Sequence, residues 1–436
     1  MNLVQSFKQT VEEARSNPGF TSLYVGGVAF AVAFTMIFAI LYYVRLAPIY
    51  PEYNRDTTMY IKNISVRHDA TSSESMGTLG LPFVDEFISK LHNYEYMSVM
   101  SFTMATFVQP ADGSGDFKVL RNIVDPNFFK LYEYEFLAGR PFSEAEMDAG
   151  IKCAVISEDV ANRLYGSPES AVGKDITFGY INFKIVGIVK PGTSMFDSSF
   201  AQIFSPYTAE DGYTRMSNQN NARRLLGRYM LAFKLKDDEQ KEAFKAEMED
   251  MLRKINAADT TGWVTRVNEF VSNTEMVFRE NNEETDLLAN IKPYLTLLLV
   301  LLIIPAINIS GMIGGQMDRR MAEMGLRRSF GGSKSELCRQ VMFENLILTI
   351  FGGLVGLVVA WIVLYSFKGT ILGLVGNSWN YLGDIVEAEV TGEMLFAPAV
   401  FLGALLICII LNILSAYIPV KFALRRPIVS SINAKK

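Results

Sequence analysis

The side chains whose types and spacing promise chemistry gather in residues 318–336, DRRMAEMGLRRSFGGSKSE. Arg319, Arg320, Glu323, Arg327 and Arg328 place guanidinium and carboxylate groups on a helical surface, while Met317, Met321 and Met324 recur at the i, i+4, i+7 spacing of one face. The chemistry of such a helix is ion pairing and docking, not bond making. The plainer reading is a juxtamembrane helix held near anionic headgroups by its basic residues. Gly331-Gly332 ends the helix, and Ser333 with Glu336 reads as a capping box that opens a second one.

Elsewhere, bond-making chemistry finds no support. Ser157 and Asp159 have no neighbouring His, and Ser194, Ser198 and Ser199 stand outside any Gly-x-Ser-x-Gly elbow. Glu144 and Glu146 read as solvated loop acids, not an acid–base pair. His68 and His92 lack Cys or His at ligand spacing, so no metal site is expected. Cys153, Cys338 and Cys408 fall in three different settings and form no disulfide framework. The run from Gly331 to Ser335 looks superficially like a phosphate loop, yet it misses the Gly-x-x-x-x-Gly-Lys-Ser/Thr spacing and follows no buried strand. The chain is read as lacking a catalytic or nucleotide-binding set.

The elements that carry the basic stretch are membrane elements. With 436 residues, 50% of them hydrophobic and 20% charged, the chain is too apolar for an ordinary soluble protein and too polar to be all membrane. Residues 1–19 form an amphipathic helix with Leu3, Phe7 and Val11 on one side, and residues 20–46 a first span whose stretch from Phe20 to Val44 is uncharged and long enough to cross a hydrocarbon core of about 30 Å. A cleaved signal peptide is disfavoured by the length of this run and the lack of a small-residue cleavage site. Residues 47–282 are water-soluble in character. Acidic residues from Glu275 to Asp286 lead as a stalk into a second span within 283–316, where Pro293 and Pro305 are expected to bend the helix.

Residues 317–340 are the basic segment, and 341–366 the third span, with Gly352, Gly356 and Ala360 every four positions as a close-packing face. Residues 367–398 make a short acidic loop, 399–420 a fourth span and 421–436 a basic tail. The positive-inside rule then puts 317–340 and both termini in the cytoplasm and 47–282 outside. The fold class expected is an α-helical membrane protein with four transmembrane helices and a large extracytoplasmic α+β domain inserted between helices 1 and 2. In that domain, strand and helix patterns at 57–101 and 229–271 flank a middle of short apolar runs, which suggests that the flanks pack together around an insertion.

Two motif sets give this arrangement a likeness. Arg320-Met-Ala-Glu-Met-Gly-Leu-Arg-Arg-Ser-Phe-Gly-Gly-Ser333, followed by Gln340-Val-Met-Phe-Glu-Asn345 and a Gly-rich span, resembles the signature of FtsX-like permeases, and more narrowly of the MacB type, the membrane subunits of type VII ABC transporters. Gly332 stands where that family commonly has Ala. Phe136-Leu-Ala-Gly-Arg-Pro-Phe142, Ala154-Val-Ile-Ser157, Ala161-Asn-Arg-Leu-Tyr-Gly166, Val172-Gly-Lys-Asp-Ile176 and Phe183-Lys-Ile-Val-Gly-Ile-Val189 are similar to the MacB-type periplasmic core domain.

The resemblance implies a split α/β subdomain at about 50–105 and 228–275 and an inserted β-rich subdomain at about 106–227. It implies that 317–340 is the coupling helix of an ABC permease, with Arg319, Arg320, Glu323, Met324, Arg327 and Arg328 as ATPase-docking residues. ATP and Mg would be bound by the partner ATPase and no cofactor by this chain. Implied partners are that ATPase, a second copy or a paralogous permease, a periplasmic adaptor with an outer-membrane duct, and the lipid of a bacterial inner membrane; no nucleic acid partner is expected. Relatives export drugs, peptides or toxins, extract lipoproteins or regulate wall hydrolases, and the full-length outer domain favours the exporters, working by mechanotransmission. A competing class is an ATPase-independent receptor or scaffold, against which the tail after Ile418 is too short for a signalling domain.

Overall fold

A computed structural model describes residues 3–110, 115–194, 196, 198–210, 222–267, 270–278, 287–367, 370–371 and 397–425. Most of the acidic stalk residues, the acidic loop 372–396 and the tail 426–436 lie outside the described residues. The chain divides into two compact units, one of residues 1–43, 291–371 and 391–436 and the other of residues 44–290 and 372–390.

The first unit is helical. It comprises α1 (Leu3–Ser16), α2 (Pro18–Leu46), α3 (Leu287–Arg319), α4 (Met321–Ser329), α5 (Lys334–Ser366) and α6 (Pro398–Arg425). By length and composition α2, α5 and α6 can cross a membrane, with mean hydropathies of 2.2, 2.6 and 2.6. The apolar part of α3 is the shorter stretch Ile291–Ile303, within a helix of 33 residues that stays helical over Pro293 and Pro305. The basic residues Lys421 and Arg425 do not terminate α6; they ride on its last turns.

Small residues set the spacing of these helices. A Cβ on Gly352 would fall 2.9 Å from Cβ of Val28 and 3.0 Å from the Val25 carbonyl; one on Gly356 would fall 2.5 Å from the Ala29 carbonyl. The backbones of α2 and α5 therefore approach as closely as only glycine permits. Ala360 is buried further along the same face, and Tyr24 and Thr349 share a buried hydrogen bond of 3.0 Å beside the crossing. On α6 the buried residues Ala404, Cys408, Asn412, Ala416, Val420 and Leu424 follow every four positions, while Leu402, Leu406, Ile410 and Leu414 are exposed. That split suits a helix packed on one side and facing lipid on the other.

The second unit is built on a mixed sheet. Thr58–Ile61 pairs antiparallel with both Tyr229–Lys234 and Phe270–Ser272, Ile64–His68 pairs with Trp263–Val267, and Tyr96–Ser101 pairs with Tyr229–Lys234. Strands from the two ends of the domain thus share one sheet. The helix Asp238–Ala258, capped by the Asp237 side chain accepting from the Gln240 N–H at 2.9 Å, buries Phe244 and Met248 against Phe83, Leu231 and Phe233. Between these ends, Cys153–Ser157 runs parallel to Ile181–Val189, which pairs antiparallel with Asp175–Phe178 and Phe136–Gly139. Val119, Ile156, Val160, Phe178 and Phe183 fill the core there.

Several local expectations are corrected. Within the strand and helix pattern at 57–101, the strand is broken at Lys62-Asn63 into two, and the helix breaks at Phe87 into an α-helix and a 3-10 turn. Gly139, before Arg140-Pro141, and Gly187, in the run that ends at Pro191-Gly192, have the composition of turns, yet they lie opposite one another in paired strands, where a Cβ on Gly139 would fall 2.3 Å from the Val186 carbonyl and one on Gly187 2.3 Å from the Arg140 carbonyl. Glycine signals a close backbone approach here.

Candidate functional site at the basic turn

The turn between α3 and α5 is anchored by its methionines. Met317, Met321 and Met324 are all buried, so the i, i+4, i+7 face points into the helical unit. Beyond α4, Gly331 adopts φ +94 and the Gly332 N–H returns to the Arg327 carbonyl at 3.0 Å, closing the helix end. Ser333 and Glu336 then form a reciprocal capping box: Ser333 Oγ accepts from the Glu336 N–H and the Glu336 carboxylate accepts from the Ser333 N–H, each at 3.2 Å. A rigid corner follows from these closures.

Arg320 sits at the junction of α3 and α4, with a side chain 14% exposed. Its Nη1 donates to Glu344 Oε2 on α5 at 2.7 Å and its Nη2 to Glu13 Oε1 on α1 at 2.5 Å. Gln340 Nε2 donates to the other Glu344 oxygen at 3.0 Å. One guanidinium thus ties three helices together. Glu13 is pushed up to about 7, first because it is partly buried and second because the neighbouring Glu344 charge repels its own, which together outweigh the pull of Arg320.

The other charges of the turn are also partly engaged. Arg327 donates to Glu323 at 2.7 Å along the helix and to Gln340 at 3.1 Å, and Arg328 reaches the Leu424 carbonyl at the end of α6 at 3.4 Å. Arg319 is exposed and lines a cavity of about 500 Å³ with Glu13, Asn17, Phe20 and Met312. Of the six residues picked out for docking, Arg319 and Glu323 are exposed, Arg327 and Arg328 half-buried, Arg320 committed inward and Met324 only 6% exposed. The outward face instead carries two apolar side chains, Leu326 at 53% and Phe330 at 84% exposure. Their i, i+4 spacing, roughly opposite the methionines on a 3.6-residue helix, was available in the sequence.

In the outer unit, the acids and hydroxyls serve structure. Glu146 caps Ser143 and takes two bonds from Arg140 at 2.7 and 2.8 Å, which holds its carboxyl down at about 2. Ser157 Oγ donates to the Gln202 carbonyl, and Asp159 accepts from the Gln202 amide. Among the described residues no three His, Cys, Asp or Glu side chains group as metal ligands. Arg55, also buried, donates through Nη1 to the carbonyls of Val44, Arg45 and Ala47 at 2.8–3.1 Å and through Nε to Glu52 at 2.6 Å. That bond set gathers the free carbonyls where α2 ends.

Residues 21–251 match the MacB-like periplasmic core domain family, and residues 295–428 match the FtsX-like permease C-terminal family. The chain belongs to the MacB-type, FtsX-like ABC permeases. Similar curated proteins include the macrolide export ATP-binding/permease protein MacB of Shewanella oneidensis, 22% identical over 342 residues that cover 77% of this chain and 46% of that protein. The pyoverdine export ATP-binding/permease protein PvdT of Pseudomonas fluorescens is 23% identical over 325 residues, 74% of this chain and 44% of that protein. This permease spans less than half the length of those relatives.

Among solved structures, it aligns with the periplasmic region of MacB from Actinobacillus actinomycetemcomitans at TM-score 0.31 and 13% identity, over 47% of this chain and 88% of that one. It aligns with the extracellular domain of the transporter YknZ from Gram-positive bacteria at TM-score 0.33 and 14% identity, over 47% and 100%. The family match and the apolar helices make the permease an inner-membrane protein with an extracytoplasmic core domain.

Proposed function

We propose that this permease is the membrane subunit of an export-type ABC transporter and that a separate ATPase drives it by pushing on α4. The carrying observation is the corner itself: an exposed Leu326–Phe330 face mounted on a helix whose opposite side is buried and whose entry is tied to α1 and α5 by Arg320. Such a mounting favours motion of the turn as a unit, and α3, a helix of 33 residues, ends at Arg319, one residue before the tie. ATP-driven closure of the partner would displace α4, and α3 would carry the displacement along the chain toward the core domain. Four membrane crossings, with α3 as the second, cytoplasmic termini and a pair of such subunits complete the reading. The relatives named for macrolide export and pyoverdine export support export as the class of work.

The test is co-purification of the tagged permease in mild detergent beside a Phe330→Asp variant. We expect an ATPase with the wild type and its loss from a variant whose melting temperature is unchanged. Absence of any ATPase from the wild type, or undiminished recovery with Phe330→Asp, overturns the coupling role.

A further inference from the structure

A second cavity, of about 710 Å³, opens between the start of α5 and the end of α6. Lys334 and Arg339 line it from α5, and Lys421 and Arg425 from α6. Among the described residues no Asp or Glu lines the cavity, and all four cations are exposed. The neighbouring acid, Glu336, is committed to the N–H and hydroxyl of Ser333. Deeper along both helices the lining turns apolar, with Met342 on α5 and Ile413 on α6, and Tyr417 lies between, 5.2 Å from Lys421 Nζ to its ring centre. Charge and hydropathy therefore change in the same direction on both walls. An amphiphile with a negative head matches that gradient, whereas free phosphate satisfies the cations and leaves the apolar floor uncovered.

We propose that this cavity holds the headgroup of an anionic phospholipid, its phosphate among the four cations and its acyl chains along Met342 and Ile413. The site abuts the basic turn, since Arg328 bonds the carbonyl of Leu424, a residue of the cavity wall. A seated lipid thus braces the corner that α4 forms. The inference rests on the membrane placement of α5 and α6 and is independent of ATPase coupling.

The experiment reconstitutes the full chain, with whatever ATPase accompanies it, in mixed phosphatidylglycerol and phosphatidylcholine bilayers, and counts the lipids retained through detergent washing by native mass spectrometry. Two variants remove cations from opposite walls, Lys421→Gln/Arg425→Gln and Lys334→Gln/Arg339→Gln; Lys8→Gln, an exposed cation on α1, is the control. We expect a wild-type preference for phosphatidylglycerol that falls about tenfold to thirtyfold in either double variant and holds in the control. Having two walls keeps the test intact if one variant fails to fold. Equal loss in the control means diffuse surface charge and overturns the site. Displacement of the lipid by inorganic phosphate, or unchanged retention in both double variants, also overturns it.

Discussion

Replacing Arg320 by Met tests whether the tie at the corner is as strong as its geometry implies. The Glu344 side chain is 5% exposed and Arg320 14%, so removing the guanidinium strands a buried carboxylate, a loss of roughly 3–5 kcal/mol. The bond to Glu13, whose side chain is 32% exposed, adds no more than about 1 kcal/mol. Replacing both members of the inner pair, Arg320→Met with Glu344→Met, removes the stranded charge along with its partner and recovers most of the loss, because paired burial of ions is close to neutral against apolar residues of similar size. The assay is thermal and detergent unfolding of the purified chain, with Arg319→Met as the exposed control. If Arg320→Met is as mild as Arg319→Met, or the double variant is less stable than the single, the corner is not held by this ion cluster.

Three further outcomes follow from close contacts elsewhere. Gly356→Val drives a side chain into the Ala29 carbonyl and should lower stability by at least about 1–3 kcal/mol, whereas Gly403→Val, with no neighbouring atom within 4 Å, should be neutral; equal melting temperatures would sink the glycine crossing of α2 and α5. Arg55→Lys should destabilise the outer unit nearly as much as Arg55→Met, since an ammonium cannot serve three carbonyls and Glu52 together, and a thermal melt that separates the two variants widely would contradict this. Asp125, enclosed and bonded to Ser98 Oγ and the Phe128 N–H, is pushed by burial from its ordinary 3.8 up to about 7. A raised carboxyl contributes stability that is complete below 3.8 and lost progressively as pH climbs from there through 7, so the wild type should lose melting temperature between about pH 4 and 7 while Asp125→Asn does so less; parallel curves would count against it.

Local chemistry was the legible part of this chain. The capping box at Ser333 and Glu336, the methionine face and the four-residue spacing of Gly352, Gly356 and Ala360 are short-range patterns, and each is visible as a local feature of α3–α5. Partners at long range were not legible. Nothing in the run of Arg and Glu residues distinguishes Arg320 from Arg319, yet one is bonded to Glu13, 307 residues away, and the other is exposed. The same limit explains Gly139 and Gly187: their turn-like composition is local, and the strand pairing that brings them face to face is not. Pattern told which residues lie on one face, and register decided what that face meets.

That distinction changes the kind of partner contact to expect at α4. Its charges are largely satisfied within the chain, by Glu13 and Glu344 for Arg320 and by Glu323 and Gln340 for Arg327, so little of the binding energy can come from them. Full burial of Leu326 and Phe330 offers roughly 1.5–3 kcal/mol each and is not screened by salt. On the docking reading, ATPase recovery should therefore survive 1 M salt, where the screening length is about 3 Å, and fail with Leu326→Ala/Phe330→Ala. Exchanging Glu323→Arg with Arg327→Glu keeps the pair on the helix while reversing the field a partner meets, and should weaken recovery only at low salt. Release of the ATPase from the wild type by 1 M salt, with the Leu326→Ala/Phe330→Ala variant still binding at low salt, would return the contact to the charges and refute the apolar one.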